Sequence, residues 1–143
     1  MSTFRSEFDC ADLHRRSQGR FPGFVGVEVV AVESGRVRMR LPLRPEHLAP
    51  NGFLHAAVMI TLADTACGYG ALAHLPQGAS NFTTVELKSN FLGTTRDGAI
   101  ACDATPVHLG RSTQVWDAEV RDEAAGQRLA VFRCTQIVLW PRS

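Results

Sequence analysis

The chain has 143 residues, 45% of them hydrophobic and 20% charged, with a formal net charge of +1. That length and balance suit one domain around one core, and scattered basic residues give no electrostatic footprint for nucleic acid. The four cysteines include no Cys-x-x-Cys pair and the five histidines stand singly, which argues for reduced thiols and against a zinc site.

The first residues lack an apolar stretch, so no secretory signal is expected and the chain reads as cytoplasmic. Phe4, Phe8, Ala11 and Leu13 recur at helical spacing, predicting an amphipathic helix over about Phe4 to Gln18. Gly19, Pro22 and Gly23 break it. An apolar run around Val27 and Val29 then reads as a strand, turned at Glu33-Ser34-Gly35. Val37, Met39 and Leu41 alternate with Arg36, Arg38 and Arg40, the period of a half-buried antiparallel strand with its arginines in solvent. Pro42, Pro45 and Pro50 make a loop that runs through Asn51-Gly52.

From Leu54 to about Leu75 the sequence is rich in Ala and Leu, and a helix ended by Pro76 and Gly78 is predicted. It is apolar nearly all round, so it is expected to be buried. A carboxylate near its centre and His55, His74, Gly68 and Gly70 argue against a membrane span. Four strands follow: Thr83 to Phe91, Ala99 to Val107, Thr113 to Asp122 and Arg128 to Leu139. Turns at Arg96-Asp97-Gly98 and Glu123 to Gly126 separate them. Strand runs without intervening helices imply an antiparallel sheet. The fold class is α+β, one long helix wrapped by one curved sheet. Residues 1–143 read as a single domain, with 1–20 an N-terminal extension and about 26–139 the core.

Asp64 is the only acidic or basic side chain, histidines aside, between His55 and Gln77. A lone carboxylate in an apolar helix must be hydrogen-bonded, shifted in protonation, or used. It is a candidate catalytic group, set against a structural role bonded to a loop amide. At the start of the same helix, the amides beside Ala56 and Ala57 lack internal partners and sit at the positive end of the helix dipole. They offer an oxyanion hole or, more simply, a small-residue packing contact. His55 is a candidate cap or contact and Asn51 opens a turn. Thr84 sits in a strand where threonine is common. Arg111 is a candidate phosphate contact, or a solvated arginine. No Gly-x-Gly-x-x-Gly, P-loop, Gly-x-Ser-x-Gly or His-Glu-x-x-His pattern occurs, which removes the usual nucleotide-binding folds, serine hydrolases and zincins.

Asn51-Gly52-Phe53-Leu54-His55-Ala56-Ala57 followed by Leu62-Ala63-Asp64-Thr65-Ala66 resembles an N-G-x-x-H-G-G-x-x-x-x-L-A-D signature. Thr84-Val85-Glu86-Leu87-Lys88-Ser89-Asn90-Phe91-Leu92 is similar to the T-V-x-L-x-x-x-F-L strand that follows it. Gly110-Arg111 and the last strand also fit. These stretches resemble the hotdog-fold acyl-CoA thioesterases of the phenylacetate-pathway (PaaI-like) branch, over roughly Gly26 to Leu139.

The resemblance implies that Asp64 is the catalytic carboxylate, as general base or nucleophile. It also implies that the Ala56 amide holds the oxyanion and that Thr84 helps place the water. Asn51, His55, Ala57 and Arg111 are the candidate substrate-binding residues beside these. It implies a homodimer, possibly a tetramer, with active sites at the subunit interface. CoA enters as part of the substrate, and no metal or other cofactor is required. Two departures stand out. Ala56-Ala57 replaces the glycine pair, and Ala49 stands six residues before the histidine, where many members carry Asn or Gln. The rival expectations are a hotdog dehydratase or hydratase, disfavoured because no histidine follows Asp64 at close helical spacing, and a non-catalytic acyl-CoA-binding module.

Overall fold

The computed structural model describes residues 4–143; residues 1–3, the start of the predicted N-terminal extension, lie outside it. The first helix, α1, spans Cys10–Ser17 rather than starting at Phe4. The reason is a cap: the Asp9 carboxylate accepts the Asp12 N–H at 2.9 Å, which satisfies a donor of the first turn and fixes the start there. Arg5 precedes the helix and donates to the carbonyls of Pro76 and Ala79, tying this segment to the far end of the central helix. The Gly19-Pro22-Gly23 stretch, predicted only as a break, contains a second short helix, α2 (Phe21–Val25). Proline is tolerated there because it lies in the first turn, where its missing N–H would have had no partner. Gly26 closes α2 at φ +102°, a conformation that requires glycine.

Strands β1 (Glu28–Glu33) and β2 (Arg36–Pro42) form the predicted hairpin. Val37, Met39 and Leu41 are fully buried, and the arginines between them face outward. There Arg36 and Arg38 share Asp103, and Arg40 bridges Glu28 and Glu123. After a 3-10 turn at Pro45–His47 comes the central helix α3, Ala56–Ala73. Strands β3 (Asn81–Phe91), β4 (Ala99–Leu109), β5 (Thr113–Asp122) and β6 (Arg128–Leu139) complete the chain.

All six strands form one antiparallel sheet in the order β1-β2-β4-β5-β6-β3, so β3, third in sequence, ends on an outer edge. The sheet curls around α3, which packs on β2, β3, β4, β5 and β6. By length and composition α3 could cross a bilayer, but it is the core helix of this sheet.

Its burial is one-sided, which corrects the expectation of a helix buried all round. Met59, Leu62, Ala63, Ala66, Cys67, Gly70 and Ala71 lie inside, while Ala57 is exposed and Val58, Thr61, Asp64 and Thr65 are half-buried. Thr61, Asp64 and Thr65 fall together on the open face, so the few polar positions of an otherwise apolar helix mark the side that the sheet does not cover. Gly70 is a close-packing glycine, because a Cβ there would stand 2.6 Å from the Trp116 ring. Trp116 is held in turn: its indole N–H donates to Gln114 at 2.8 Å, and Gln114 donates to the His74 carbonyl at 3.0 Å.

Candidate functional site

Asp64 opens into a cleft of about 420 Å³ between α3, the start of β3 and the N-terminal helices. Phe8, Pro22, Tyr69, Leu72 and Phe82 give it apolar walls, and Thr84 shares it with Asp64. Gly68, one turn beyond Asp64, leaves the floor open; a Cβ there would come within 3.2 Å of the Phe82 ring. Asp64 Oδ1 is buried and has no hydrogen-bond partner among the described residues. Burial pushes the Asp64 carboxyl above the usual carboxylate range, and no cation among the described residues offsets this. Arg16 also lines the cleft, but its guanidinium is bound to Asp12 at 2.7 Å. The Tyr69 hydroxyl is engaged with Ser17 at 2.5 Å. An unpaired carboxylate with raised affinity for a proton is what a general base needs.

Thr84 Oγ1 donates to Gln136 Oε1 at 2.7 Å. Gln136 is fully buried on β6, directly across from Thr84 in the sheet register. The sequence reading missed Gln136, although a signal was present. It falls on the inward register of β6 with Phe132, Cys134 and Val138, where an amide is out of place unless bonded.

The helix start forms a second, separate place. His55 is the N-cap of α3, and its Nδ1 accepts the Ala57 N–H at 3.0 Å. The Ala57 amide is therefore occupied. The Ala56 N–H has no acceptor among the described residues. His55, Ala57, Val58 and Thr61 border an apolar groove of about 610 Å³ with Phe21, Phe24 and Leu48. No residue is common to this groove and the Asp64 cleft.

Asn51 is used locally, its Oδ1 accepting the Phe53 N–H at 3.2 Å, a turn bond outside both places. Arg111 stacks on Trp140, with its guanidinium carbon 4.2 Å from the ring centroid. Of the predicted residues, the fold thus unites Asp64 with Thr84, and His55 with Ala56 and Ala57. Asn51 and Arg111 stand apart from both. The described residues contain no group of His, Cys, Asp and Glu that could hold a metal ion.

The model of one known family, the thioesterase superfamily, matches residues 51–128, which span α3, Asp64, Thr84 and strands β3, β4 and β5. The chain belongs to the thioesterase superfamily. The superfamily, rather than its phenylacetate-pathway branch, is what the comparisons identify. The chain is 32% identical over 111 residues to a 1,4-dihydroxy-2-naphthoyl-CoA hydrolase of Listeria monocytogenes, covering 78% of this chain and 89% of the relative. It is 26% identical over 136 residues to the proofreading thioesterase EntH of Klebsiella pneumoniae, covering 95% and 98%. Among solved structures, a Haemophilus influenzae thioesterase superposes with a TM-score of 0.88 at 26% identity, over 95% of this chain and 94% of that one. A Pseudomonas aeruginosa thioesterase superposes at 0.89 with 23% identity, over 95% and 97%, a likeness of fold. The hotdog architecture expected from the sequence is thereby borne out, and the chain's relatives carry the names of CoA-thioester hydrolases, thioesterases and esterases.

Proposed function

We propose that the protein hydrolyses acyl-CoA thioesters, with Asp64 as general base and the Ala56 amide as oxyanion donor. The observation that carries this reading is the unpaired, buried Oδ1 of Asp64 in an open cleft. Asp64 takes a proton from a water, and the water oxygen attacks the thioester carbonyl. The carbonyl oxygen, now negative, is held by the Ala56 N–H at the positive end of α3. Collapse of the intermediate breaks the C–S bond, and the proton held by Asp64 returns to the departing CoA sulfur. The acid and CoA leave, and Asp64 is again ionised.

Ala56 and Asp64 lie eight residues apart on one helix, about 12 Å along its axis at about 1.5 Å per residue. A nucleophile and an oxyanion donor must both come within about 3.5 Å of one carbonyl. One subunit therefore does not supply both, and the active unit is a dimer with Asp64 from one chain and Ala56 from the other. The uncovered face of α3 and the edge strand β3 support this. Val85, Leu87, Phe91 and Leu92 of that edge region are 57%, 41%, 42% and 54% exposed, an apolar unpaired edge that a second copy would cover.

The aromatic and apolar lining of the Asp64 cleft, with the naphthoyl-CoA hydrolase relatives, favours a ring-bearing acyl group. A dehydratase reading finds no support at the site. His74, the nearest histidine after Asp64, is neutralised by burial and has both ring nitrogens engaged, by Gly70 and Gly35. The test is release of free CoA thiol from a panel of aromatic and straight-chain acyl-CoAs. Turnover with aryl substrates preferred is expected. Binding without thiol release, or a change in acyl unsaturation, would replace this reading with an acyl-CoA-binding module or a dehydratase.

A further inference from the structure

We infer that Gln136 is the positioning residue for the hydrolytic water, because it takes the only proton of the Thr84 hydroxyl and leaves Thr84 able to act toward the cleft solely as an acceptor. This rests on the function proposed above. A threonine hydroxyl has one proton and two acceptor sites. Here the proton points away from the cleft into Gln136 Oε1, at 2.7 Å. Gln136 cannot turn this role over to solvent, since it is fully buried and its amide nitrogen lies 3.4 Å from Cys134 Sγ. Its place is set by the sheet, with Thr84 on one neighbouring strand and Gln114 opposite it on the other.

An ionised Asp64 also only accepts. A water between Asp64 and Thr84 must then donate both of its protons to them, and its free lone pairs face the thioester carbon. Without Gln136 the polarity reverses. The Thr84 hydroxyl is released into the cleft it shares with Asp64, whose Oδ1 is a buried acceptor without a partner. A bond donated to the carboxylate stabilises the ionised form, makes Asp64 a weaker base and displaces the water. The other titratable groups around Asp64 do not replace this control: Arg16 on α1 is paired with Asp12, Tyr69 on α3 is bound to Ser17, and the Cys67 thiol is pushed up by burial.

The test follows the Asp64 carboxyl directly, by carbon-13 NMR titration, alongside steady-state kinetics on the intact protein. Gln136→Met should lower the Asp64 pKa, move the acid limb of the kcat profile down with it, and cut kcat about 10- to 100-fold with KM little changed. Thr84→Val placed in that background should restore the pKa, because the competing donor is gone. The double variant should also be no slower than the slower single, as expected for two residues acting as one unit.

An unchanged Asp64 pKa in Gln136→Met, or additive kinetic losses, would overturn the inference. If Gln136→Met does not fold, Thr84→Val decides alone. A loss of kcat without a rise in the Asp64 pKa supports the relay. A raised pKa means that Thr84 already donates to Asp64 and overturns it. A wild-type protein that releases no CoA while the titrations behave as stated would reject the proposed function and the water-positioning role with it, and would leave only Gln136's control of the Thr84 hydroxyl direction.

Discussion

Gly70→Ala opposes two effects of known sign. In an isolated helix the change is favourable by about 1 kcal/mol, because alanine restricts the unfolded chain and glycine does not. In this fold the new Cβ would stand 2.6 Å from Cη2 and Cζ3 of Trp116, where carbon atoms ordinarily rest at about 3.5–4.0 Å. Ring or helix must therefore move by about 1 Å. Trp116 is fully buried, packs edge-on against His74 and is anchored through Gln114, so it cannot swing aside cheaply. Overpacking of this kind costs about 1–3 kcal/mol, and with the ring fixed the upper end applies, leaving a net loss of about 2 kcal/mol. For a chain of this size that lowers Tm by roughly 4–8 °C. Because Asp64 rides on the same helix, a shift of about 1 Å should also lower kcat by up to about 100-fold. Gly68→Ala is the control. Its Cβ meets only the rim of Phe82 at 3.2 Å, so it should cost little stability while narrowing the cleft. The assay is thermal and urea unfolding of both variants with turnover on the same samples. A Tm for Gly70→Ala at or above wild type would refute the packing argument.

Asp64→Asn should reduce hydrolysis at least ~100-fold with the fold retained, measured as thiol release beside circular dichroism. The same variant should be more stable than wild type near neutral pH. Burial raises the native pKa of Asp64 above its unfolded value, so the ionised carboxylate weakens the native state above both values, and the penalty vanishes below the unfolded value of about 3.9. The Tm gain of Asp64→Asn should accordingly shrink as pH falls through that window; a gain constant with pH would contradict the assignment of a strained carboxylate. Ala56→Gly should keep activity because only the backbone N–H is used, whereas Ala56→Leu should block the carbonyl. Full activity in Ala56→Leu would remove the oxyanion role.

The sequence carried most of the fold because its signals are local. Alternation at Val37, Met39 and Leu41 and the Ala-rich run of α3 each fix one element without distant help. Asp64 was legible because a lone carboxylate in an apolar run is costly to bury, although its structural alternative, a bond to a loop amide, is set aside only by the unpartnered Oδ1. The remainder depends on partners far away in sequence. Pro22 and Gly23 read as breakers, yet α2 forms there, with Gly23 packed so closely on the Ser17 carbonyl that a Cβ would collide with it. The placing of β3 at the sheet edge is a matter of strand order, which alternation does not encode. The Ala57 amide looked free by position, but the His55 ring occupies it. Thr84 seemed an ordinary strand residue because Gln136, 52 positions on, gives its hydroxyl a direction. The open face of α3 mixes Ala57 and Val58 with Thr61, Asp64 and Thr65, and which of its residues the sheet leaves uncovered emerges only once the sheet is in place.

The central claim, one active site built from two chains, is tested most directly by mixing inactive subunits. An Asp64→Asn chain and an Ala56→Leu chain carrying different tags are co-expressed, and the doubly tagged species is purified and assayed for CoA release. If Asp64 and Ala56 act from opposite subunits, each heterodimer contains one intact site and one doubly defective site, so activity returns to about half that of wild type on the two-site count. Heterodimers that remain as inactive as either parent, or a strictly monomeric wild-type chain with full turnover, would contradict the composite site.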